Sequence, residues 1–197
     1  VSAGSAAVGS GRRDNPSASA PPMLPPDPAS PVGPDPNPTL PRSGSESYVL
    51  RPATIADLDE IWAIEAAVFG DDAWSRDLMR EELAADHRVY LALVSDSGVV
   101  VGYGGLLAVG ADGDIQTIAV VPGARGGGHG RRLMEALLQA AFQRGVREVF
   151  LEVRADNPVA RGLYDSLGFE EIGVRPRYYQ PGNVDAIVMR RTERGRE

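Results

Sequence analysis

The chain has 197 residues, is 43% hydrophobic and carries a formal net charge of −7. That is enough apolar material for one well-buried domain, and the acidic balance argues against non-specific binding to nucleic acid. All 20 basic side chains are arginine and cysteine is absent, which excludes a lysine-dependent phosphate loop, disulfides, thiolate metal sites and a cysteine nucleophile. With His87 and His129 as the two imidazoles, no metal centre is expected.

Residues 1–44 are rich in Pro, Ala, Ser and Gly, too poor in large apolar groups to offset the entropy of ordering, and are expected to be disordered. They contain no apolar stretch of signal-peptide length, and no later run approaches the roughly 18 apolar residues of a membrane span. A cytoplasmic protein without a membrane or direct nucleic-acid partner, and monomeric, is the expectation. The Val1 start is expected to mark a trimmed chain or an alternative start codon. The ordered domain is placed at residues 45–192, with a short tail at 193–197.

Within that domain a short strand is expected near Tyr48, stopped by Pro52. Thr54 and Asp57 offer a capped start for a helix carrying Leu58, Ile61, Trp62, Glu65 and Val68, with Trp62 expected in the core. Trp74 follows in a polar turn and is either a packing anchor or part of a lid, and a second helix runs from Ser75 to about Ala84. Two apolar runs, Arg88–Val94 and Val99–Leu107, flank Ser95–Gly98 and predict a β-hairpin. Asp112 to Asp114 are read as a turn into a strand, Ile115–Val120. A glycine-rich loop, Gly123–Gly130, leads into a helix in which Leu133, Leu137 and Ala141 and Met134, Leu138 and Phe142 recur at helical spacing.

Strand, loop and helix in that order aim the loop's N–H groups and the first N–H groups of the helix at one place, a ready site for phosphate. Val149–Val153 is the next strand, and a crossover of this length is parallel and right-handed. Asp156, Asn157 and Pro158 start a further helix ending at Gly168. Phe169–Val174 and Ala186–Met189 are expected as strands around a loop from Arg175 to Asn183. The sum is an α/β fold with a mixed sheet.

Arg125-x-x-Gly128-x-Gly130, after a strand ending in Val and Pro and before an amphipathic helix, resembles the acetyl-coenzyme A motif of the GNAT superfamily of N-acetyltransferases. Asn157 and the Leu163–Phe169 segment resemble the second half of that superfamily's cofactor site. The resemblance covers about residues 47–191 and implies a largely antiparallel central sheet flanked by helices, with a parallel strand-helix-strand core at the acetyl-CoA site. The Leu151–Asn157 segment, Leu163–Phe169, Arg177 to Tyr179, and Asp185 with Ala186 are similar to the RimI subfamily, ribosomal-protein alanine N-acetyltransferases. That similarity implies acetyl-CoA as co-substrate and the N-terminal Ala of a small-subunit ribosomal protein as acceptor. Arg125 in place of a common Gln, Gly127 at an often basic position, and Pro158, Arg161 and Gly162 depart from the subfamily pattern.

Acetyl transfer to an amine needs a neutral amine, a stabilised oxyanion and a proton for the leaving thiolate. Glu152 is the one acidic residue inside the apolar stretch Val149–Val153, either on a solvated face or in a functional cleft, and the resemblance implies that it is the base. The resemblance likewise makes Tyr164 the acid, where its bare pattern also suits a core tyrosine. Phosphates fall to the N–H groups of Arg125, Gly126, Gly127, Gly128, His129, Gly130 and Arg131, with His129 presenting its backbone rather than its ring. The family implies that the backbone of Ile118, Ala119 and Val120 pairs with the pantetheine amides, with Val120 N–H near the oxyanion. Asn157 is a cofactor contact by resemblance and a helix cap by position. Trp74, Tyr178, Tyr179 and Asp185 either line the acceptor site or pack. Acetylation of a small amine or a lysine, and non-catalytic acyl-CoA sensing, are the alternative functions.

Overall fold

A computed structural model describes residues 47–180 and 182–193 of the chain. The expected disordered segment 1–44 and the last four residues lie outside the described residues. Seven strands form one sheet in the order β1-β2-β3-β4-β5-β7-β6. They are β1 (Tyr48–Pro52), β2 (Arg88–Ser95), β3 (Val100–Val109), β4 (Asp112–Val120), β5 (Glu148–Arg154), β6 (Glu170–Tyr179) and β7 (Val184–Thr192). Every neighbouring pair is antiparallel except β4 and β5.

Helices α1 (Leu58–Phe69) and α2 (Arg76–Ala84) cover one face, and α3 (His129–Gln143) and α4 (Pro158–Ser166) the other. Leu133, Met134, Leu137, Leu138 and Ala141 make the inward stripe of α3 and bury against Ile115, Ile118, Val120, Val149, Leu151 and Val153. Each such aliphatic side chain contributes about 1.5–3 kcal/mol on burial. On the opposite face Leu58, Ile61, Ile64, Phe69 and Met79 pack on Tyr90, Ala92, Tyr103 and Ala119. The alternation of β5 therefore sends Val149, Leu151 and Val153 towards α3 and leaves Phe150, Glu152 and Arg154 on the other face.

The parallel pair expected between β4 and β5 is present but short. It joins Asp112 to Glu148, Gly113 to Val149 and Asp114 to Phe150, and no ladder pair follows among the described residues. Beyond that rung the strands part, beside the loop that opens α3.

Three local expectations are corrected. Residues 112–114 are not a turn but the first residues of β4, drawn into the sheet by pairing on both sides. Residues 175–179 are not loop but the end of β6, with an irregular register between Arg175 and Tyr179 and a left-handed Arg177 at φ 52°. Trp62 is not in the core: it is 36% exposed, and its indole N–H donates to the Trp74 carbonyl oxygen at 3.2 Å. Trp74 occupies the interior position instead.

Candidate active site

The loop between β4 and α3 is built for close approach. A 3₁₀ turn at Pro122–Ala124 precedes it, and Gly126 and Gly128 sit at φ 84° and 77°, in the left-handed region that favours glycine. Gly126, Gly127 and Gly128 are exposed, and a Cβ on Gly127 would lie 2.8 Å from the His129 ring. The 15-residue α3 begins at His129, so its free N–H groups and the positive end of its dipole face this loop.

The loop's charged side chains are turned to protein partners. Arg125 Nε donates to the Val120 carbonyl at 2.9 Å, and Arg131 donates to Ser166 Oγ at 2.5 Å and lies 3.7 Å from Glu135. The His129 ring packs edge-on against Tyr48, with centroids 4.5 Å apart. What the loop offers a ligand is therefore mainly backbone N–H groups, which suit a pyrophosphate. Alongside it, the edge of β4 from Ile118 to Val120 has no ladder partner on the β5 side.

On the α1/α2 face a cavity of about 380 Å³ opens between β3, β4, β5 and β6, lined by Leu107, Asp114, Phe150, Glu152 and Arg175 among others. Glu152 is 8% exposed, and its Oε1 lies 2.7 Å from Arg175 Nη1. Burial raises its carboxyl to a pKa of about 7; Asp114 adds to the rise, while the Arg175 charge and hydrogen bond oppose it. Asp114 stands on the last rung before β4 and β5 part, diagonal to Glu152. Burial lifts its pKa to about 6 against the pull of Arg175, Arg88 and a hydrogen bond from Gln116.

Two tyrosines at the end of β6 come near enough to Glu152 to feel its charge. Burial, then Glu152, push the Tyr178 hydroxyl up to about 12, and the same two influences raise Tyr179 well above the ordinary phenol range. Tyr179 is 4% exposed, with the Arg154 guanidinium over its ring at 5.0 Å, and its buried hydroxyl has no hydrogen-bond partner among the described residues. Such an orphaned group is costly, by about 1–3 kcal/mol, and marks a place where a polar ligand group fits. Tyr178 and Tyr164 add to the rise at Tyr179, and Arg154 opposes it. Tyr164 itself is 3% exposed on α4, edge-on to Phe169 at 6.0 Å.

The remaining expected residues divide. Asn157 is buried, and its Oδ1 caps α4 by accepting from the Ala160 N–H at 2.9 Å. Asp185 Oδ1 accepts from the Arg177 N–H at 2.7 Å and so holds the irregular end of β6. Of the two readings of Trp74, its position matches the packing anchor: it is 5% exposed within the α1/α2 cluster, where apolar burial holds it. Asp114 and Arg175 belong to the pocket, Arg154 stacks on Tyr179, and none of the three was expected from the sequence. Asp114 looked like a turn residue and Arg175 like loop; the signal available was an acidic residue abutting the apolar stretch that begins at Ile115. Among the described residues no group of three or more His, Asp or Glu side chains is placed to hold a metal ion.

Residues 55–169 match the acetyltransferase (GNAT) family. Over 152 residues, 75% of this chain and 94% of the relative, the chain is 40% identical to the N-alpha-acetyltransferase RimI of Mycobacterium tuberculosis. It is 40% identical over the same length to an uncharacterized Mycobacterium leprae protein, of which it spans 41%. The fold superposes on the ribosomal-protein-S18-alanine N-acetyltransferase of Escherichia coli with a TM-score of 0.69 and 28% identity, covering 77% of this chain and 98% of that one. A glycine loop at a helix start, a parted β4/β5 edge and a buried carboxyl beside tyrosines thus sit on a shared framework, and the chain belongs to the acetyltransferase (GNAT) family.

Proposed function

We propose that the protein is an N-alpha-acetyltransferase that moves an acetyl group from acetyl-CoA directly to a protein N-terminal amine, with the N-terminal Ala of a small-subunit ribosomal protein as the favoured acceptor and the cytoplasm as its place of action. The observation that carries this reading is the buried Glu152 carboxyl, which lines a cavity beside Asp114 and Arg175 and is raised to about 7. A base of that strength is matched to an α-ammonium, which loses its proton near pH ~8, far better than to a lysine at about 10.4.

Acetyl-CoA supplies a thioester-activated acetyl group. The N–H groups of Gly126 to Arg131 would hold its pyrophosphate, and the backbone of Ile118 to Val120 would align its amides, with Val120 N–H available to stabilise the oxyanion. Glu152 accepts the proton of the incoming ammonium, directly or through water. Tyr164 presents its hydroxyl to the departing sulfur. Tyr178 and Tyr179 line the approach of the peptide, and the unpartnered Tyr179 hydroxyl offers it a hydrogen bond.

Acetyl-CoA turnover against a panel of Ala-terminated peptides, internal-lysine peptides and small amines tests the reading. Turnover confined to the Ala-terminated peptides is expected. Activity with small amines alone, or turnover unaffected by Glu152→Gln, would overturn it.

A further inference from the structure

Arg175 lies where the acceptor's charge has to go. Val188 of β7 is paired with Glu152 on one side and Gly173 on the other, so Arg175, two residues beyond Gly173, reaches diagonally across β7 to the carboxylate. Among the described residues lining the cavity, Arg175 is the one cation, set against Asp112, Asp114 and Glu152. Besides Glu152 it meets Tyr178, on its own strand, through a side-chain hydrogen bond. The side chain is 48% exposed on an edge strand, lies over the Tyr178 ring at 5.6 Å, and belongs to the irregular stretch before the left-handed Arg177. A half-exposed arginine on an uncovered strand edge can swing out without unpacking the core.

We propose that Arg175 is a displaceable counterion: the acceptor enters as an ammonium, takes the place of the guanidinium beside Glu152 and Asp114, and only then meets a free base. The proposal rests on the reading of the acceptor as an amine bound in this cavity. On exchange the Arg175–Glu152 ion pair opens and the ammonium pairs with the carboxylates. One N–H bond then breaks as its proton forms an O–H bond on Glu152, leaving a neutral amine and a neutral acid. The exchange makes Arg175 a positioning and specificity residue. A neutral group of the same shape cannot compensate the carboxylates that Arg175 leaves, and is refused.

The groups that bear on this titration are named by strand: Asp114, with Gln116 beside it, on β4; Arg175, Tyr178 and Tyr179 on β6; and Arg88 on β2. Since kcat/KM reports the free enzyme and kcat the enzyme with substrate bound, the two profiles separate the states before and after exchange. In Arg175→Gln the acid limb of kcat/KM is expected to move up by about one pH unit, while the limb of kcat stays in place and Arg175→Lys restores the parent limb. Calorimetry at pH 8 supplies an arm that needs no turnover. An Ala-terminated peptide is expected to bind Arg175→Gln several-fold more tightly than the parent, and its des-amino analogue no differently. Equal movement of both pH limbs, equal change for both peptides, or no binding of either overturns the counterion. A parent protein that binds the Ala-terminated peptide without acetylating it overturns the proposed function and leaves the counterion standing.

Discussion

Glu65 is buried on α1, 2% exposed, with one carboxylate oxygen accepting from the Trp74 N–H at 2.9 Å and the other bonded to the Tyr103 hydroxyl, which in turn meets Thr117 Oγ1 at 3.2 Å. Burial raises its pKa from 4.5 to about 7, against the pull of the Trp74 and Tyr103 hydrogen bonds. As pH rises through that window the unfolded chain gives up the proton first, while the folded protein retains it. The unfolded state binds fewer protons there, so stability falls as pH rises, by roughly 3 kcal/mol over the whole window. Glu65→Gln keeps the shape and the acceptor for Trp74 N–H but cannot ionise. The variant is expected to match the parent near pH 4.5 and to exceed its stability by up to roughly 3 kcal/mol at pH 8. Urea unfolding followed by tryptophan fluorescence at both pH values measures this, with the two tryptophans of the chain both adjoining the network. Glu152 and Asp114 titrate in the same range but are common to both proteins and cancel in the difference. Parallel pH dependence in parent and variant, or a variant less stable at pH 8, would refute the reasoning.

Other substitutions address the site and its supports. In the parent, kcat/KM should rise about tenfold between pH 6 and pH 8 as Glu152 ionises, and Glu152→Gln should lower kcat by about 10²–10⁴-fold and remove that limb, read by steady-state pH profiles. Gly128→Val forces a β-branched residue to φ 77° at the start of α3, so the KM for acetyl-CoA should rise several-fold while affinity for the acceptor peptide, measured by calorimetry, is kept. Asn157→Ala removes the α4 cap and should cost about 1 kcal/mol in urea unfolding. Placing a Cβ on Gly105, 2.5 Å from the buried Tyr90 ring, should destabilise the Gly105→Ala protein by about 1–3 kcal/mol, visible as a lower Tm.

The glycine loop and the helix after it were legible because their signals are local: a glycine cluster and a 3.6-residue apolar stripe can be read from adjacent letters. Glu152 was legible for a similar reason, as a lone acid in an apolar alternation. Its environment was not. Arg175 is 23 positions away in the chain and reaches Glu152 because β7 is inserted between β5 and β6, and strand order leaves no trace in local pattern. Asp114 was hidden by the Asp-Gly-Asp letters, which favour a turn until neighbours on both sides draw them into the sheet. The two tryptophans exchanged places for a further reason. Residue type gives a bias to burial, but the interior position went to the side chain whose own backbone N–H is tied to buried Glu65.

The brief β4/β5 pairing has a mechanical consequence. Across the middle of the sheet just three register pairs join β1 to β4 with β5 to β7, and past them the halves are held together chiefly by the helix packed behind. A donor molecule whose amides run along Ile118 to Val120 would serve as a short splint across that seam. Such binding would stabilise the folded chain as a whole over the unfolded one, by about 2.7 kcal/mol at a hundred times Kd. With the donor bound there, the fold would couple its possession to the stiffness of the wall that carries Glu152.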